Sequence, residues 1–110
     1  MDNLSVLKDF PDNFTFGAAT SSYQIEGNSY GRCGKSIWDE FAQEKLKGID
    51  GFKACNHYEY FREDIKLIKD LGFKAYRFSF AWPRLFPENN SNFNEEGVDF
   101  YNRLLDEILN

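Results

Sequence analysis

Histidine occurs once in these 110 residues and cysteine only twice. A metal site built from imidazole and thiolate needs several ligands at characteristic spacing. Cys55 and His57 are neighbours, but no second pair exists, so neither a metal centre nor another cofactor is expected. Cys33 and Cys55 are too far apart for a Cys-x-x-Cys redox motif. Basic charge is also scarce: 13 Lys and Arg against 18 Asp and Glu give a formal charge of −5. That balance argues against nucleic acid or an anionic membrane as the main partner. No apolar run reaches the roughly 18 residues of a membrane span. Met1 to Phe10 has Asp2, Lys8 and Asp9 and lacks the apolar core of an export signal. The expectation is a cytoplasmic protein with free thiols. On the same ground, the glycosylation triplets starting at Asn3, Asn13 and Asn89 read as chance matches.

Aromatic residues are abundant instead: twelve Phe, six Tyr and two Trp. With 42% apolar and 28% charged residues, the composition suits one globular domain or part of a larger one. Residues 1–13 are polar and end in the turn cluster Phe10-Pro11-Asp12-Asn13. Phe14 to Gly17 reads as a short strand, followed by the small residues Ala18 to Ser22, which let the backbone approach a neighbour closely. Asn28 to Ser36 is a loop. Ser36 to Phe41 predicts a short helix that buries Phe41 and either Ile37 or Trp38. Residues 43–53 are charged and read as exposed.

The spacing predicts a helix over 58–71, with Phe61, Ile65 and Ile68 on one stripe, thickened by Tyr60, Leu67 and Leu71. Gly72 is placed to stop it. From Ala75 to Trp82 the period is two, so Tyr76, Phe78, Phe80 and Trp82 share a face that should be buried. Pro83 ends the strand pairing. A last helix is predicted over 95–109, with Val98, Tyr101, Leu105 and Ile108 as its stripe. Asn92 with Glu95, or Asn94 alone, would cap it. Strands alternating with helices argue for parallel β/α units and an α/β fold.

Few residues carry obvious chemistry. Parallel strands are usually covered on both faces, which would make Arg77 an interior cation in need of a carboxylate. On a half-exposed edge strand it would be a surface arginine. Gln24, in the loop after the first strand, is either a plain turn residue or an amide suited to sugar hydroxyls. Glu26 has no second carboxylate fixed near it, as glycoside cleavage normally needs. His57 reads as a capping or packing histidine. The acidic stretches Glu40 to Glu44 and Asp106-Glu107 read as solvated faces.

The run Phe14-Thr15-Phe16-Gly17-Ala18-Ala19-Thr20-Ser21-Ser22-Tyr23-Gln24-Ile25-Glu26-Gly27 resembles the N-terminal signature of glycoside hydrolase family 1, the β-glucosidase family. Four further blocks agree in order: Ser36 to Asp39, Ala54 to Tyr58, Ala75 to Pro87, and Asn94 to Tyr101. The resemblance covers about residues 10–109. It implies that residues 1–110 form a partial TIM-barrel domain, the first two β/α units of a (β/α)8 barrel, incomplete at the C-terminus. It implies a retaining β-glycosidase acting on a β-glucoside or related oligosaccharide. By this resemblance Gln24 would bind the glycone and Arg77 would support the nucleophilic glutamate. The family's Asn-Glu-Pro and Glu-Asn-Gly motifs do not occur here, so both catalytic glutamates would lie downstream of Asn110 and the chain alone would be inactive. Cys33 stands where the family often has arginine, and Asn56 where aspartate is usual. The Phe78 and Pro83 positions look more like members acting on unphosphorylated sugars. A non-catalytic sugar-binding remnant and a truncated gene product are the alternatives.

Overall fold

The computed structural model describes residues 8–110. The triplet starting at Asn3 and the segment from Met1 to Leu7 lie outside them. The elements run β1 (Gly17–Ala19), α1 (Ser22–Ile25), α2 (Ile37–Lys45), α3 (His57–Asp70), β2 (Ala75–Arg77), α4 (Trp82–Leu85) and α5 (Glu95–Leu109). The two strands pair in parallel, with Gly17 opposite Ala75 and Ala19 opposite Arg77. Lys74 N to Phe16 O and Thr20 N to Arg77 O, each 2.9 Å, extend the ladder at both ends. A parallel pair needs a long crossover, and α3 supplies its helix.

The core lies between α3 and α5. Phe61 and Ile65 of α3 meet Phe100, Tyr101 and Leu104 of α5, and Tyr76, Phe78 and Ile68 pack at the margin. Burying such side chains is worth roughly 1.5–3 kcal/mol each. Tyr60, Leu67 and Leu71, expected to widen the α3 stripe, are exposed. They face away from α5. Asn56 precedes α3 in the left-handed region (φ 54°), a conformation that asparagine tolerates better than most residues.

Three further expectations are corrected. The first strand begins at Gly17 rather than Phe14. Phe14 and Phe16 instead cluster with Phe10, at ring distances of 4.7–5.1 Å. The second strand ends at Arg77 rather than Trp82, and Phe80 and Trp82 are exposed. A side chain has taken one later backbone donor: Ala81 N donates to Tyr101 Oη, while the Ser79 hydroxyl accepts from Ser22 N. Trp82 and Pro83 then start α4, where a first-turn proline is well tolerated. The helix expected at 36–41 is longer, and Ser36 and Asp39 close a capping box at its start. It buries Ala42, while Ile37, Trp38 and Phe41 are exposed because no helix or strand packs closely over them among the described residues.

Helix α5 starts as expected, with Asn94 as its cap. Its fully buried face is Gly97, Phe100, Tyr101 and Leu104; of the expected stripe, Tyr101 is buried and Ile108 packs against the core, whereas Leu105 is 37% exposed. Asn94 Nδ2 donates to Gly31 O (2.7 Å) and Arg84 O (3.0 Å), which pins the first turn. Gly97 then lies against the Arg84 carbonyl with no room for a Cβ. These anchors fix the rotation of the helix.

Candidate functional site

The carboxyl ends of β1 and β2 lie side by side. Arg77 ends β2 opposite Ala19 and is exposed. No described carboxylate pairs with it. The anticipated burial is not met, because that face of the strand pair stays open. Gln24 lies in α1, one short turn beyond β1, rather than in a loop. Among the four residues of α1 it alone is exposed, and its side-chain amide makes no hydrogen bond among the described residues.

Helix α1 is held at both ends. At its start, Ser22 N donates to Ser79 Oγ (2.9 Å), and Ser79 Oγ lies 3.1 Å from Ser22 Oγ. Tyr23 Oη donates to Trp38 O and accepts from Gly51 N. At its end comes Glu26, buried and ion-paired. Arg84 Nε donates to Glu26 Oε1 (2.9 Å), and Tyr101 Oη donates to Glu26 Oε2 (2.8 Å). The same guanidinium donates from Nη1 to Tyr30 O (2.7 Å) and from Nη2 to Gly27 O (3.0 Å). It lies over the Tyr58 ring at 4.5 Å. Arg84 is 1% exposed, so this pairing is what lets a cation remain inside.

Burial pushes the Glu26 carboxyl above its ordinary 4.5, while Arg84 and the Tyr101 hydroxyl pull it back. Burial, with the charge of Glu26, pushes the Tyr101 phenol up, so it keeps its proton and remains a donor. Glu26 is thus a structural ion-pair partner. Arg84 went unnoticed in the sequence. A buried cation 58 residues from its acid leaves no local pattern.

His57 opens α3. Its Nδ1 lies 2.7 Å from Asp64 Oδ2, and its ring meets Phe100 edge-on, which is a packing role. Between α1, α2 and α4 lies a cavity of about 330 Å³ lined by Tyr23, Glu26, Cys33, Trp38, Phe80 and Trp82, among others. Burial raises the Cys33 thiol above its ordinary value, which keeps it protonated and inert. No group of three or more His, Cys, Asp or Glu that could hold a metal ion exists among the described residues.

The sequence profile described as glycosyl hydrolase family 1 matches residues 6–110. The chain belongs to glycosyl hydrolase family 1. Family 1 relatives are similar over nearly its whole length. Beta-glucosidase 4 of Oryza sativa subsp. japonica is 52% identical over 106 residues, which are 92% of this chain and 22% of that protein. Beta-glucosidase A of Thermotoga maritima is 47% identical over 107 residues, 94% of this chain and 24% of that protein. In solved structures, the family 1 β-glucosidase from Thermotoga maritima superposes with a TM-score of 0.82 at 47% identity, over 91% of this chain and 23% of that one. The virulence factor SghA from Agrobacterium tumefaciens gives 0.87 at 43% identity, over 96% of this chain and 24% of that one. The chain therefore spans about a quarter of the length of the relatives it matches. No helix among the described residues is long and apolar enough to cross a membrane.

Proposed function

We propose that this chain supplies the glycone-binding edge of a retaining β-glycosidase, with Gln24 on the sugar hydroxyls and Arg77 beside the nucleophilic glutamate. The observation that carries the reading is α1: pinned at both ends beside the carboxyl ends of two parallel strands, it leaves the Gln24 amide exposed and, among the described residues, unpaired. Sites on (β/α)8 barrels sit at that end of the strands, and these elements are read as the first two β/α units of such a barrel. A primary amide both donates and accepts, which matches a sugar hydroxyl. Arg77, in register with Ala19, would keep a neighbouring carboxylate ionised and oriented.

In the retaining mechanism one glutamate attacks the anomeric carbon as the other protonates the leaving oxygen. Water then releases the sugar. Neither glutamate motif occurs in these 110 residues, so the reaction needs groups from outside them. The substrate class is a β-glucoside or related oligosaccharide, without a nucleic-acid or membrane partner. A reducing compartment such as the cytoplasm suits the free cysteines Cys33 and Cys55.

An exchanged enzyme tests this reading: residues 10–109 replace the matching segment of the Thermotoga maritima β-glucosidase. It is expected to hydrolyse an aryl β-glucoside, whereas the 110-residue chain alone is not. Turnover by the pure chain, lost in Glu26→Gln, contradicts the reading. So does an exchanged enzyme that folds but does not turn over.

A further inference from the structure

We infer that Arg84 is a positioning residue: its clamp on Glu26, Gly27 and Tyr30 holds α1, and with it the Gln24 amide, in the orientation that meets the sugar. The inference rests on the proposed role of Gln24. Gln24 is two residues from Glu26, and between them the chain has little freedom. Glu26 N donates to Ser22 O (2.9 Å), closing α1, and Tyr58 N donates to Glu26 O (3.1 Å). The Glu26 side chain takes one bond from Arg84 and one from Tyr101. Arg84 thus fastens three points between residues 26 and 30 to α4.

The surroundings leave the clamp one arrangement. A Cβ on Gly31, which has φ +67°, would lie 2.6 Å from the Tyr58 hydroxyl and 2.9 Å from Arg84 Nη1. The Tyr58 and Phe100 rings flank the guanidinium at 4.5 and 5.6 Å. A lysine ammonium lacks the planar fork that reaches all three acceptors. Arg84 is buried, so it acts on sugar only through the residues it holds.

A double-mutant cycle in the exchanged enzyme tests this, because residues acting through one another are non-additive. Gln24→Ala and Arg84→Lys are each expected to lower kcat/KM for an aryl β-glucoside by about tenfold or more, as misplacement of a binding group does. The double variant is expected to be no worse than Gln24→Ala alone. Losses that multiply overturn the inference and leave the role of Gln24 standing. An unchanged kcat/KM in Gln24→Ala contradicts that role and takes this inference with it. Should Arg84→Lys fail to fold, Glu26→Gln replaces it in the same cycle, with the same outcomes. Hydrogen exchange gives a readout independent of turnover. The Gln24 and Glu26 amides, bonded to Ser21 O and Ser22 O, should exchange faster in the clamp variant than α5 amides do. Equal acceleration everywhere indicates general destabilisation and overturns the inference.

Discussion

Glu26 and Arg84 set the energetics at the residue scale. Removing one partner strands the other charge in the interior, so Glu26→Ala should lower the unfolding free energy by about 3–5 kcal/mol in urea titrations. Titration of Glu26 gives a second signature. Its carboxyl sits above the ordinary 4.5 in the folded chain, so the folded state holds the proton more tightly than the unfolded state. This contribution is fully present below 4.5 and is lost as pH rises through the folded-state value. Unfolding free energies measured from pH 4 upward should therefore fall more steeply in the wild type than in Glu26→Gln. Arg77 is different in kind. If it keeps a nucleophilic carboxylate ionised, Arg77→Met in the exchanged enzyme raises the pKa of that group. The acidic limb of the kcat/KM profile should then move to higher pH, with a lower plateau. An unmoved limb contradicts that role.

At the element scale, the rotation of α5 gives a clean contrast. Leu104→Ala should cost about 2–5 kcal/mol, since Leu104 is 1% exposed. Leu105→Ala should cost less, about 1 kcal/mol, since Leu105 is 37% exposed. Thermal unfolding of the two variants checks the contrast. The bounds of α3 and α5 were legible because apolar spacing and end signals such as Gly72 and Asn94 are local. The phase of α5 was not, because tertiary hydrogen bonds from Asn94 to Gly31 and Arg84 decide it. The strand at Ala75 was legible from its period of two, but its end was not. The Ala81 N–H goes to the Tyr101 hydroxyl of α5, a partner that periodicity does not reveal. Gln24 and Arg77 stood out through family resemblance, while spacing alone left both open. Arg84 was within the recognised block, yet nothing in its local pattern marked it as buried.

At the scale of the whole molecule, the surface is large. The accessible area is 8335 Å², against about 6300 Å² for a compact monomer of this mass. Trp38, Phe80, Trp82, Leu67 and Leu71 are among the exposed apolar side chains, and each strand of the pair has an open edge. Open edges and apolar surface promote association. The chain alone should therefore self-associate as its concentration rises, and light scattering would record this. A monodisperse monomer across the range would contradict that expectation. The same openness leaves Gln24 and Arg77 exposed, and neither of the family's glutamate motifs occurs in these 110 residues. The most direct measurement is kcat/KM for an aryl β-glucoside in the exchanged enzyme, with Gln24 intact and with Gln24→Ala. Turnover is expected in the former and a loss of about tenfold or more in the latter. Equal kcat/KM in the two would contradict that expectation.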